Sequence, residues 1–321
     1  MPVISPALEL SDRVGAWKAR WGIGRMSYLV PAGVYALGSP TPDDPVLVTA
    51  NYKMCYDLVR RELAGRNVWL LILETHGINV WCAAGMGTFG TEELATRLEI
   101  TRLATVVRHR TLILPLLGAP GVSAHEVLAR TGFSVAFAAI EARDIPRYLD
   151  GGMRTTAAMR ELTFTFRERL VLVPVELVTA LKGSVWIAPP LALAASWREG
   201  HFSPAAALPA LLAYTGAIAA GTIAAPLALP WLPTRSFAVK GAVAGVLWSL
   251  LFLAATGWRG LPAAATVLLV TAFTSFLTLN FTGSTPYTSP SGVKREMRLS
   301  LPLMTGGLAA GIGCWIAAAL R

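Results

Sequence analysis

The sequence predicts a chain in two parts. The first is an α/β domain built on a parallel, helix-flanked sheet, and the second is an all-α membrane domain of about five helices. Three observations carry this reading. Of the 321 residues, 54% are hydrophobic and only 15% charged, which is too apolar for an average soluble protein. Most Asp, Glu, Lys and Arg precede about Arg169, and long runs of Ala, Leu, Val, Ile and Gly follow it. Ahead of that point, short apolar runs alternate with helical patterns, as a parallel sheet requires. The expected boundaries are an N-terminal arm over 1–44, a soluble domain over 45–168 and a membrane domain over 169–321.

Each element has a local reason. Residues 1–44 read as an irregular arm ending at Pro31, Pro40, Pro42 and Pro45, with Trp17 and Trp21 at helical spacing. The run 45–50 is short and β-branched, a strand. Residues 52–63 have helical spacing and stop at Gly65. The run 67–73 is a second buried strand. Thr91, Glu92 and Glu93 open a helix with a hydroxyl cap and two carboxylates at the positive end of its dipole. Residues 112–114 form a third strand core, and Ser123 to Glu126 form a capping box that opens the helix through Arg130. A strand over 135–140 and a short helix over 144–149 close the domain. Ligands of such sheets sit beyond the carboxyl ends of the strands. The loop after the second strand and the Gly118-Ala119-Pro120-Gly121 loop after the third are therefore expected on one rim.

Five segments near the ~20-residue spanning length fall roughly at 170–196, 205–229, 237–256, 261–281 and 299–320. The first contains Glu176, Lys182 and a Pro189-Pro190 break. A charged residue inside a span is a functional candidate by default, but Glu176 reads equally as a boundary residue facing Lys182 or the headgroups. With the soluble part inside, the cytoplasmic loops carry Arg235, Lys240, Lys294, Arg295 and Arg298, and the outer side Arg198, Arg259 and Arg321. The bias has the expected sign. The first 24 residues lack a basic segment followed by an apolar one, so the soluble domain is expected to face the cytoplasm.

Composition also excludes functions. The net charge of +9 comes without a basic stripe interleaved with aromatics, so no nucleic-acid partner is expected. Excess arginine at the edge of a lipid bilayer accounts for it. Three cysteines, Cys55, Cys82 and Cys314, are odd in number and widely spaced, which excludes a disulfide framework. No C-x-x-C pair exists, so the chain alone holds neither an iron–sulfur cluster nor a cysteine-type zinc site.

Chemistry concentrates in residues 78–90, Ile-Asn-Val-Trp-Cys-Ala-Ala-Gly-Met-Gly-Thr-Phe-Gly. A soft thiol, Cys82, stands between bulky Trp81 and a run with almost no side chain: Ala83, Ala84, Gly85 and Gly87. Such a run lets something large and flat approach the backbone. A thiol against a flat object suggests an axial ligand to a metal in a macrocycle, although most lone cysteines are simply buried. His76 competes. Glu74-Thr75-His76-Gly77-Ile78-Asn79 faintly resembles the Asp-x-His-x-x-Gly motif of histidine-ligated corrinoid methyltransferases. His109 and His125 show no metal spacing. The Gly118–Gly121 turn, ahead of a capped helix, reads either as structural or as a donor of backbone N–H groups to a ligand tail. Residues 281–298 form a hydroxyl-rich loop and a basic turn, expected on the same side of the membrane as Cys82.

The stretch Asn79-Val80-Trp81-Cys82-Ala83-Ala84-Gly85 resembles the signature of the mercury-methylating corrinoid proteins, the HgcA family. More distantly it resembles the corrinoid domain of the large subunit of the corrinoid iron–sulfur protein. The similarity continues through 87–94, 109–115, 117–127 and 281–293. It implies a Rossmann-like corrinoid-binding domain holding a cobalamin-type cofactor base-off, with Cys82 as lower axial ligand of cobalt. It further implies that Asn79 to Gly87, with Thr88, cap the lower face of the corrin, that Thr49 lies near that face, and that Gly118, Ala119, Pro120 and Gly121 line its edge. The implied activity moves a methyl group from a methylfolate-type donor to mercury(II) at the inner membrane. The implied reductant is HgcB, a ferredoxin-like partner with two 4Fe–4S clusters. Mercury(II) must accept the methyl group as a carbanion equivalent, a polarity that a donating thiolate opposite the methyl favours, as it does in thiolate-ligated haem. Two positions depart from the pattern: Met86 stands in place of the signature lysine and Leu116 where glutamine is expected. Two other functions stay open: a methyl carrier of one-carbon or acetyl-CoA metabolism, and a corrinoid-binding membrane protein without turnover.

Overall fold

The computed structural model describes residues 1–198 and 201–320. Two compact units divide between Thr163 and Phe164. Of the arginines expected outside the membrane, Arg321 and the side chain of Arg198 lie outside the described residues.

The first unit is a six-stranded sheet with helices on both faces. Its strands are β1 (Val3–Ile4), β2 (Gly33–Leu37), β3 (Val46–Ala50), β4 (Val68–Leu73), β5 (Thr111–Leu114) and β6 (Ser134–Phe137), in the order β1-β2-β4-β3-β5-β6. Four of these, β4, β3, β5 and β6, pair in parallel, and β2 runs antiparallel to β4. The sheet is thus mixed, an antiparallel edge on the expected parallel core. The residues expected as an irregular arm carry α1 (Leu10–Arg20) and supply β1 and β2. The rings of Trp17 in α1 and of Trp21, its C-cap, lie 6.0 Å apart.

The central strands are buried on both faces, as parallel strands between helix layers must be. Val46, Val48 and Ala50 of β3 join Leu71 and Leu73 of β4 in one core. That core also takes α3 (Val80–Met86), α4 (Thr91–Thr101) and α5 (Ala124–Thr131) through Ala83, Ala84, Leu94 and Val127. Leu47, Leu70, Ile72 and Ile113 point to the other core, shared with α2 (Lys53–Glu62) and α6 (Ile145–Asp150) through Tyr56, Ile145 and Tyr148.

Two caps differ from expectation. The N-cap of α4 is Gly90, not Thr91. The Thr91 hydroxyl instead accepts from the Ser123 amide at 2.8 Å, joining the start of α4 to the start of α5. Ser123 does cap α5, accepting from the Glu126 amide, but the reciprocal half of the box is absent among the described residues. The Glu126 carboxylate reaches Arg130, one turn along α5.

In the second unit, five helices among the described residues are long and apolar enough to cross a membrane: Phe166–Ser196, Pro204–Leu227, Phe237–Thr256, Gly260–Ser284 and Pro290–Ala319. They are called the first to fifth spans below. The first runs through Pro174, Pro189 and Pro190 without ending. Membrane helices tolerate proline because neighbouring groups satisfy the freed backbone. Close packing uses small residues: a Cβ on Gly241 or Gly245 of the third span would lie 2.7 or 2.8 Å from atoms of the fourth. Hydroxyls add to this, with Ser275 donating to the Ala238 carbonyl at 2.7 Å. Glu176 does not face Lys182 in this packing. It accepts a hydrogen bond from Ser284 at 2.6 Å, at the end of the fourth span.

Candidate functional site

The loop after β4 is organised by a residue the sequence did not single out. Asn51 follows β3 directly and is fully buried. Its Nδ2 donates to Glu74 Oε1 at 2.6 Å. Its Oδ1 accepts from the amides of Thr75 and Gly77 at 3.2 and 3.1 Å, and lies 2.9 Å from the Thr75 hydroxyl. This one side chain therefore ties the end of β3 to the loop that leads into α3. His76 and Gly77 both take positive φ, 55° and 71°, and turn the chain toward the helix. Glu93 of α4 accepts from the Glu74 amide at 2.8 Å and from Arg97. The imidazole of His76 is exposed on this turn.

Asn79 then caps α3. Its Oδ1 accepts from the amide of Cys82 at 2.8 Å, satisfying one of the free donors of the first turn. Gly87 ends the helix at φ 85°, a conformation that favours glycine. Across this single helix, Val80, Ala83 and Ala84 face the core. Cys82, Gly85 and Met86, spaced three and four apart, share the opposite face. Cys82 and Trp81 are half-buried, and Gly85, Met86 and Gly87 are exposed.

The glycines of this region divide into two kinds. At Gly118 a Cβ would lie 2.5 Å from the Phe89 ring, and at Gly121 it would strike the Phe89 carbonyl and lie 3.0 Å from Ala84. These two let the loop after β5 press onto α3 and Phe89, so the fold needs them. Gly121 also accepts from the Thr91 amide at 3.2 Å. At Gly85 a Cβ would meet nothing within 4 Å. The fold does not need that glycine, and mid-helix glycine costs roughly 0.5–1 kcal/mol against alanine. Its absence of side chain keeps that position beside Cys82 open. The open position at Gly85 beside a half-exposed thiol leaves room for a large planar group, with the exposed Met86 side chain on the same face.

Most of the residues singled out from the sequence converge. Asn79, Val80, Trp81, Cys82, Ala83, Ala84, Gly85 and Gly87 make α3 with its caps, Thr88 hydrogen-bonds the Ala83 carbonyl at 3.4 Å, and Gly118 to Gly121 back the helix. Leu116 begins the turn between β5 and that loop, its amide bonded to the Ala139 carbonyl at 3.0 Å. Thr49 does not join them. It alternates with Val48 and Ala50, so its side chain points with Leu47 to the opposite face of the sheet from α3.

Cys55 of α2 was not singled out, and it packs beside the same core as α3. Burial pushes its thiol up to about 11; a hydrogen bond from the Val80 amide opposes the rise, and Cys82 nearby adds to it. Cys55 is thus a protonated thiol packed beside the core at neutral pH, although it is half-buried, as Cys82 is. A second cysteine one strand-to-helix crossing before the signature was the sequence signal for it.

The fold and site define a class: an α/β domain that presents the half-exposed Cys82 thiol on a short capped helix at the carboxyl rim of its sheet. Residues 25–149 match the family described as CO dehydrogenase/acetyl-CoA synthase delta subunit. The chain is 30% identical over 123 residues to the acetyl-CoA decarbonylase/synthase complex subunit gamma of Methanopyrus kandleri, covering 38% of this chain and 26% of that protein. The subunit gamma of Archaeoglobus fulgidus is 32% identical over 123 residues, with the same shares of 38% and 26%. That of Methanocaldococcus jannaschii is 33% identical over 97 residues, 30% of this chain and 20% of its own length. The chain thus spans only about a fifth to a quarter of the length of these curated relatives (20–26%), and the family match at 25–149 lies in the first unit.

Proposed function

We propose that this chain is a membrane-anchored, corrinoid-dependent methyltransferase that moves a methyl group from a methylfolate-type donor to mercury(II), giving methylmercury. The observation that carries the reading is the outer face of α3, where the half-exposed Cys82 stands beside an open position at Gly85 that the fold does not require. Similarity of the first unit to acetyl-CoA decarbonylase/synthase subunits supports a corrinoid methyl carrier as the general class.

In this reading a cobalamin-type corrinoid, bound base-off, supplies a centre that takes up and gives up a methyl group. Cys82 Sγ would hold its cobalt. Asn79 fixes the first turn of α3 and so fixes where that sulfur stands. Gly85 and Gly87 leave room for the macrocycle, and Thr88 and the Gly118-Ala119-Pro120-Gly121 loop border it. Cys55, held protonated by burial, does not compete for the metal. Electrons come from a ferredoxin-like partner of the HgcB type with two 4Fe–4S clusters. The five apolar helices hold the protein in the inner membrane as a multi-pass protein with the first unit facing the cytoplasm.

The names of the relatives favour one second reading, a methyl carrier in acetyl-CoA or one-carbon metabolism. Purified protein supplied with corrinoid, methylfolate and a low-potential reductant separates the two. Methylmercury formation that is lost in Cys82→Ala supports the first, and methyl delivery only to a carbonyl-transfer system supports the second. Retention of methylmercury formation by Cys82→Ala overturns the axial-thiolate reading. The visible spectrum of the bound corrinoid, compared between the native chain and Cys82→His, reads the lower ligand directly.

A further inference from the structure

Where the first, third and fifth spans begin and the second and fourth end, the second unit forms an open cavity of about 690 Å³. It is lined by three cations: Arg169 of the first span, Arg235 ahead of the third, and Lys240 within it. Among the described residues Glu296 is its one carboxylate, and that carboxylate is already engaged by the Ser236 hydroxyl at 2.7 Å and the Ala238 amide at 2.8 Å. The wall is positive, and the N-termini of three long helices add to the same potential.

Arg169 is the telling residue. It is only 5% exposed, and its Nε, buried, has no hydrogen-bond partner among the described residues. Its Nη1 donates to the Phe164 carbonyl at 2.6 Å, and the guanidinium lies 6.0 Å from the Phe164 and Trp231 ring centres. A buried guanidinium with an idle donor is costly unless something completes it. Arg235 is exposed at the same cavity and makes no hydrogen bond or ion pair among the described residues. Lys240 Nζ caps the Leu229 carbonyl at the end of the second span, leaving further donors. The hydroxyls of Thr288 and Tyr287 complete the lining.

We propose that this cavity binds a phosphate-bearing anion seated against Arg169, Arg235 and Lys240. A planar carboxylate is met by one guanidinium fork, whereas a tetrahedral phosphate takes donors from several side chains, and three cations line this one cavity. The volume lies in the range of small-ligand sites. The phosphate belongs either to a lipid headgroup or to a soluble ester, and the chemistry at the three cations is the same. The proposal stands apart from the reading of Cys82.

The test uses the full chain in nanodiscs. In the first arm the discs hold only phosphatidylcholine, and inorganic phosphate is titrated against chloride at equal ionic strength, followed by phosphorus NMR. In the second arm the discs contain phosphatidylglycerol, and lipid retained by the protein is read by native mass spectrometry. Saturable binding in the first arm identifies a soluble source, and retention of phosphatidylglycerol alone identifies the lipid. In whichever arm binds, Arg235→Gln/Lys240→Gln is expected to weaken binding about tenfold or more. Arg235→Gln alone, which breaks no contact of the fold, is expected to weaken it in the same direction. The proposal is overturned if neither arm shows binding beyond chloride, or if both variants bind like the native chain.

Discussion

Asn79 Oδ1 accepts the hydrogen bond of the Cys82 amide at 2.8 Å, so the residue that starts α3 also fixes the backbone of the thiol it presents. The three-residue spacing between them is the N-cap to N3 spacing of a helix. Cap and thiol are thereby one device, and moving either residue by one position would break it.

Asn79→Ala should cost about 1 kcal/mol of stability, the usual loss for an N-cap. Because α3 is only seven residues long, the loss falls on most of the helix. Faster labelling of Cys82 by a thiol reagent, with Asn79→Asp behaving like the native chain, is the expected result. Unchanged labelling in Asn79→Ala would show that core packing of Ala83 and Ala84 alone holds the helix.

Gly85 and Gly121 should respond oppositely to alanine. Gly121→Ala forces a Cβ into the Phe89 carbonyl and Ala84, and overpacking of this kind costs about 1–3 kcal/mol. Gly85→Ala meets nothing within 4 Å and should gain roughly 0.5–1 kcal/mol from helix propensity. If the open position serves a macrocycle, the stabilised Gly85→Ala should nonetheless retain less corrinoid after purification. Urea melts and the visible spectrum measure the two halves separately.

The core strands were legible because burial on both faces makes them continuous apolar runs, as in the Val46–Ala50 and Val68–Leu73 strands. The same fact hid the facing of Thr49: with no polar alternation, nothing in the run marks which residues turn toward α3. The first 44 residues were misread because their order comes from tertiary contacts. Gly15 sits where a Cβ would lie 2.5 Å from the Tyr28 ring, and Asp12 is held by Lys53 and Arg60 of α2. Neither contact leaves a local signal. Asn79 and Cys82 stood out by residue type, whereas Asn51 carries no local signal, because its partners lie in the next loop and only the fold brings them to it.

Asn51→Leu should be among the most damaging single changes in the first unit. It removes the partner of the Thr75 and Gly77 amides and of Glu74, all in the loop before α3. Leaving buried donors unpaired costs about 1–3 kcal/mol each, so a loss on the order of 3 kcal/mol or more is expected. Hydrogen exchange should show the amides of 74–82 opening before those of β3 and β4. Global unfolding without that local step would mean the loop is held from elsewhere.

Acid should loosen the N-terminal segment first. Burial works against ionisation of Asp12, but hydrogen bonds from Lys53, the Glu9 amide and Arg60, with the Lys53 charge, hold its carboxyl down at about 2 against an ordinary 3.8. A carboxylate whose pKa is lowered on folding adds stability that is fully present above the unfolded value. That stability is lost as pH falls from about 4 toward 2, and with solvent screening it amounts to about 1 kcal/mol at neutral pH. The same two cations hold Asp57, and Arg60 also donates to the Ser5 and Ala7 carbonyls at 2.6 and 2.8 Å. Protonating Asp12 therefore releases the clasp that binds residues 5–12 to α2. Asp12→Asn should remove most of this pH dependence and lower stability at pH 7, while leaving stability at pH 2 close to that of the native chain. Limited proteolysis between pH 2 and 5, read at residues 1–28, is the measurement. Equal cleavage of the native chain across that range would show that β1 and β2, not the Asp12 cluster, hold the segment in place.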